Sequence, residues 1–223
     1  MATVYGTIAD GYVQSNLQSS WATARSDTAG FKAVSIDSIF RQSPGVIYIS
    51  RRGTSWGLRR SFFYFDTSGI SDAPSSATLK IQGDTATSAD IIAVRGTQSA
   101  TLVIGDLDAI HNSATELSNS DGSGAGTLAS VSGLTYSSEI STWNTSVYND
   151  IALNATALAD MASLDDFKVC LMEYDHDYLD IEPSGIVEIG IIYADNTGTS
   201  RDPYIDYTVA AVTHNATFFG ANF

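Results

Sequence analysis

The chain has 223 residues, of which 43% are hydrophobic and 16% charged, enough apolar mass for the core of one all-β domain. Its formal net charge of −14 argues against nucleic acid as a partner, because phosphate binding needs clustered Lys and Arg. Every apolar run falls short of the roughly 18 residues that a membrane helix requires, so no membrane span is expected.

Thr3–Val13 opens with apolar residues (Val4, Tyr5, Ile8, Tyr12, Val13) interrupted by Gly6 and Gly11, which predicts a strand with a bulge. The polar stretch Leu17–Ala29 carries Trp21, a candidate core anchor, and a strand is expected over Phe31–Phe40. Val46–Ser50 and Gly57–Phe65 read as a hairpin around Gly53, Thr54 and Ser55. In SFFYF, Phe63 and Phe65 face one way and Phe62 and Tyr64 the other. Such a strand is covered on both faces, or covered on one and paired with a partner on the other. Ala77, Leu79 and Ile81 alternate inward within Ala77–Gln82. Ile91–Arg95 and Ala100–Ile104 suggest another pair turning at Gly96, and Asp106 is placed to cap a short helix within Gly105–Leu117.

The glycine-rich stretch 119–127 reads as a loop and lacks the GKS/T of a phosphate loop. Trp143 is a further core candidate, and Asn154 is placed to cap a helix over Ala155–Leu164. Phe167–Tyr174, Ile186–Ala194 and Tyr204–Val209 complete the strands, the last two reading as a closing hairpin. Cys170, the sole cysteine, lies in FKVCLM and reads as a buried apolar filler. Regularly spaced strands with few helices give an all-β class, a jelly-roll-like antiparallel β-sandwich with one or two short helices. The sandwich is expected over 1–209. The tail, 210–223, has no charge beyond His214, and its Phe218, Phe219 and Phe223 suggest docking on its own sandwich or on another subunit.

Residues 1–95 hold 9 basic and 7 acidic groups, whereas 96–223 hold 2 basic and 18 acidic ones. Arg51, Arg52, Arg59 and Arg60 form the only basic cluster and could meet an acidic partner across an interface. Glu173, Asp175, Asp177, Asp180 and Glu182 crowd into EYDHDYLDIE, a candidate calcium site, although the spacing departs from the EF-hand loop. The alternative is a solvated acidic loop. Trp56, beside the Gly53 turn, and Tyr174 and Tyr178 are candidates for stacking on sugar rings. The acidic pairs are no more specific to glycoside hydrolysis than those of any acidic loop. A non-enzymatic role is expected.

Several segments in order carry a resemblance: Ala9–Val13, Arg60–Asp66, Ser76–Ile81, Asn149–Asn154, Phe167–Leu171 and Gly198–Val209. With these the chain resembles the DNRLRE and disaggregatase-related β-sandwich modules, which are similar to carbohydrate-binding-module jelly rolls. The opening MATVYGTIADGYV has no basic region followed by an apolar one, so no export signal is visible and synthesis in a cytoplasm is expected. A free-standing, unexported, acidic sandwich resembles a bacteriophage virion component: a capsid decoration protein, head fibre, or tail or adhesion module. That resemblance implies a virion location. Its implied partners are other virion subunits or copies of itself, with glycans as the alternative ligand.

Overall fold

The computed structural model describes residues 1–27, 29–34, 47–87, 89–108, 110, 128, 133–194 and 200–210. Two antiparallel sheets pack together with few short helices, as the strand-rich pattern predicts. The first sheet runs β1 (Ala2–Tyr5), β11 (Tyr204–Thr208), β6 (Ser76–Thr87), β8 (Tyr148–Ala152). The second is built on β5 (Ser55–Asp66). One edge of β5 carries β4 (Ile47–Arg52) and then β9 (Asp166–Glu173), which in turn pairs β7 (Ile91–Arg95). The other edge carries β2 (Gly11–Gln14), followed by β3 (Phe31–Val34). β10 (Ile186–Ile191) pairs both β4 and the far end of β6.

β6 therefore belongs to both sheets. Residues up to Gln82 pair β8 and β11, whereas Gly83 and Ala86 pair β10. A glycine is required at the crossover, because a Cβ on Gly83 would lie 2.0 Å from the Asn144 carbonyl oxygen. This shared strand overturns the closing hairpin. β10 and β11 lie against different halves of β6 and do not pair with each other.

The expected strand over Thr3–Val13 likewise divides in two. β1 joins the first sheet and β2 the second, with Gly6 bridging Phe65 and its N–H donating to the Pro203 carbonyl at 2.8 Å. The 4–5 hairpin forms around Gly53, whose φ of 63° suits a residue without a side chain. Ala100–Ile104 is not a strand. β7 pairs β9, and the chain turns instead through a 3-10 segment, Ile104–Asp108, where Asp106 accepts the Val103 N–H at 2.7 Å. The remainder of the helix expected over Gly105–Leu117 lies outside the described residues except Ile110.

The two-faced apolar strand is covered on both sides. Phe63 and Phe65 join Leu79, Ile81, Ile151, Val169, Leu171 and Ile205 in the core between the sheets. Phe62 and Tyr64 face a second core with Leu58, Ile92, Val94, Cys170 and Met172, roofed by α1 (Trp21–Arg25), Leu102, Leu107 and Leu134. Each fully buried Phe contributes about 1.5–3 kcal/mol. The sequence pattern missed α1, a single turn capped by Ser20, but its Trp21 is buried as expected. α2 (Ala155–Ser163) forms with Asn154 accepting the Ala157 N–H at 3.1 Å. Among the described residues no helix is long and apolar enough to cross a membrane.

Candidate functional site: an exposed tyrosine face

The outer surface of the first sheet follows from strand parity. Val4, Leu79, Ile151 and Ile205 turn inward, so their neighbours turn out. Register places Tyr5, Tyr204, Lys80 and Asp150 in one row across four strands, a span of about 14 Å at the usual strand spacing. Thr3, Asp206 and Thr78 form the adjacent row. Tyr5 and Tyr204 lie 5.6 Å apart between ring centroids, and Tyr148 packs edge-on against Tyr204 at 5.0 Å.

Tyr5 is 45% exposed, whereas Tyr148 and Tyr204 are half-buried. Burial pushes the Tyr148 hydroxyl up to about 12, with Tyr204 and Asp202 adding to the shift. It therefore stays protonated and donates to the Asp202 carbonyl at 3.0 Å. Around these rings Lys80 pairs with Asp150 at 2.6 Å and the Thr3 hydroxyl donates to Asp206 at 2.6 Å. The result is a strip of three rings edged by polar groups, with Tyr5 inclined at 46° and Tyr148 at 71° to Tyr204.

The acidic stretch is built differently from either sequence expectation. Tyr174–Tyr178 forms a single π turn capped by Glu173, whose Oε2 accepts the His176 N–H at 2.5 Å and the Asp177 N–H at 3.3 Å. Burial pushes Glu173 up to about 7, against those two donors and with help from the Asp177 and Asp175 charges. Asp177 is turned inward and is 1% exposed. Arg60 grips it through Nε to Oδ2 at 2.7 Å and a terminal nitrogen to Oδ1 at 2.6 Å. Arg25 adds Nε to Oδ1 at 3.4 Å and a bond to the Asp177 carbonyl at 2.7 Å. Burial opposes ionisation of Asp177, but the two guanidiniums override it and hold the carboxyl below its usual range.

Asp180 takes the left-handed backbone, φ 58°, and ion-pairs with Arg25 at 2.9 Å. Only Asp175 and Glu182 remain exposed. The five carboxylates are thus divided between inside and outside. Among the described residues no group of three His, Cys, Asp or Glu side chains gathers as a metal site.

The other sequence candidates also separate. Trp56 is not exposed but buried, at 8%, because it falls on the inward parity of β5 with Leu58 and Phe62. Tyr178 is buried at 7% and stacks on the half-buried Tyr174 at 5.4 Å. Arg60 is fully buried, so it cannot form part of a docking face, and Arg59 lies on the opposite side of β5 over the Tyr12 ring at 5.0 Å. Arg52 is exposed. The side chain of Arg51 and the tail residues Phe218, Phe219 and Phe223 lie outside the described residues.

The tyrosine face was absent from the sequence candidates, although a signal existed. Tyr5 follows Val4 and Tyr204 precedes Ile205, so each ring occupies the outward parity of an apolar strand. Searches against protein-family models and against curated proteins found no match to this chain.

Proposed function

We propose that the protein is a non-enzymatic binding module that holds glycans on the Tyr5–Tyr204–Tyr148 face. The observation carrying this reading is the strip of three contacting rings, Tyr5 exposed and Tyr204 and Tyr148 half-buried, bordered by Lys80, Asp150, Asp206 and Thr3. Aromatic faces stack on the C–H side of sugar rings, and the bordering groups hydrogen-bond the hydroxyls. A row of side chains spanning four strands suits a chain lying across them better than a buried chain end. Binding to a panel of soluble and insoluble polysaccharides tests the reading. Tyr204→Ala with Tyr5→Ala should lose about tenfold or more in affinity while the protein stays folded at the assay temperature. Equal binding by this double variant, or no binding to any glycan, overturns it.

A second reading, a virion structural protein assembling through its C-terminal end, is favoured by a different observation. β11 leads from the tyrosine face through Val209, 60% exposed, into a tail whose only titratable residue is His214. In this reading the sandwich is a rigid scaffold and the tail docks on a neighbouring subunit. Removing Ala210–Phe223 should lower the oligomer mass while leaving the fold intact. Absence of the protein from purified particles would sink the reading.

A further inference from the structure

At the end of β7, beyond the tyrosine face, a cleft of about 340 Å³ opens between Arg95, Gly96, Thr97, Asp165, Asp166 and Lys168. This is within the size range of small-molecule sites. We propose that it binds a zwitterionic small molecule or substituent, its anionic group held by Arg95 and Lys168 and its amine by Asp165 and Asp166.

The two cations reach the cleft from opposite faces of the second sheet. Arg95 shares the parity of Ile91 and Ala93, which face the inter-sheet core, whereas Lys168 shares that of Cys170 and Met172, which face the second core. Both line the cleft at the strand end, where the Gly96 N–H donates to the Lys168 carbonyl at 3.1 Å. A Cβ on Gly96 would lie 2.1 Å from Gln98 Oε1, so the absence of a side chain lets Gln98 fold in behind the cleft.

Both cations are tethered in place. Arg95 Nε lies 3.5 Å from Asp160, which also accepts the Tyr136 hydroxyl at 2.7 Å. Lys168 Nζ donates to the Gln98 carbonyl at 2.9 Å and sits 5.9 Å from the Tyr64 ring centre. Each tether occupies one donor of a group that has three or five, so capacity remains for a ligand. Positioned donors of this kind lose little freedom on binding.

Charge then selects the ligand. The lining carries two cations and two carboxylates, the latter exposed at the mouth. A simple anion meets repulsion from Asp165 and Asp166, and a simple amine meets it from Arg95 and Lys168. A molecule with both charges satisfies both pairs. Asp166 and Lys168 are two residues apart on one strand face, about 7 Å along β9, which suits a phosphate or carboxylate separated from its amine by a short linker.

Phosphoethanolamine is the probe. Calorimetric titration of the full chain should show saturable binding about tenfold tighter than for inorganic phosphate or ethanolamine alone. Lys168→Met, which leaves Arg95 to hold the anion, should weaken phosphoethanolamine binding about tenfold, and Asp165→Asn with Asp166→Asn should abolish the preference for phosphoethanolamine over phosphate. The second variant alters only exposed side chains and keeps the test valid if Lys168→Met loosens the packing on Tyr64. Tyr204→Ala should leave this binding unchanged, which separates it from glycan binding. The proposal is overturned by phosphate binding as tightly as phosphoethanolamine, by indifference to both sets of variants, or by no heat and no amide shift at Gly96 and Thr97.

Discussion

Replacing Asp177 with Ala should unfold the protein more readily than any exposed charge change, because it strands a guanidinium in the interior. Arg60 is fully buried, and Asp177 receives two of its N–H groups, at 2.7 and 2.6 Å. Arg60 also donates to the Leu107 carbonyl, a neutral partner. Arg25, also fully buried, would retain Asp180. Breaking a buried pair from one side costs about 3–5 kcal/mol, or roughly 6–20 °C in melting temperature for a chain of this size. The comparison is Asp150→Ala. It breaks the Lys80 pair, where Asp150 is 62% exposed, and should cost about 0–1 kcal/mol.

Urea unfolding followed by tryptophan fluorescence suits the measurement, because Trp21 and Trp56 lie in the same core as this network. Arg60→Met with Asp177→Leu, which leaves Arg25 its Asp180 partner, should cost less than Asp177→Ala alone, since both charges of the Arg60–Asp177 pair are then removed. The pH dependence has a defined sign. Asp177 is held below its usual range, so its contribution is present above about pH 4 and is lost as the pH falls through the folded value. A cost for Asp177→Ala no larger than that for Asp150→Ala refutes the reasoning.

Glu173 has the opposite sign. Its folded value is raised to about 7, so the folded state holds the proton more tightly, and stability falls as the pH rises from about 4.5 through 7. Glu173→Gln keeps an acceptor for the two turn N–H groups and should flatten melting curves between about pH 5 and 8, gaining up to ~3 kcal/mol at the upper end. Gly83→Ala places a Cβ 2.0 Å from the Asn144 carbonyl and 2.9 Å from Trp143 Nε1; it should cost about 1–3 kcal/mol and speed hydrogen exchange at the sheet crossover. Trp56→Ala should lose about 3–5 kcal/mol of stability yet leave glycan affinity intact at low temperature, as expected of a core residue. Asn154→Ala should cost about 1 kcal/mol by uncapping α2, measured by urea unfolding.

Strand parity was the legible part of this fold. Ala77, Leu79 and Ile81 face the core, and SFFYF is covered on both faces, because alternation is a local property of a pleated chain. Pairing partners were not legible, since they depend on where distant strands arrive. Ile186–Ile191 and Tyr204–Thr208 look like a hairpin because they are adjacent in sequence, but β6 is long enough to accept one at each end. The same limit governs the sites. Trp56 stands beside a turn, which suggests exposure, yet its parity on β5 sends it into the second core. EYDHDYLDIE reads as a solvated or metal-binding loop because its counter-charges, Arg25 and Arg60, are 152 and 117 residues away from Asp177.

That displacement of charge bears on the ligand of the tyrosine face. Arg60 belongs to the only basic cluster in the sequence and Arg25 to its more basic end, yet both are spent inside on Asp177. Lys80 on the face itself is already matched by Asp150, and Asp206 lies in the next row. The outer field is therefore set by carboxylates, and an acidic polysaccharide would approach against it, whereas a neutral chain meets only hydroxyl-compatible donors and acceptors. The tyrosine-face reading thus favours neutral glycans, with binding nearly insensitive to salt. An acidic glycan should bind measurably only when ionic strength is high enough to screen the surface.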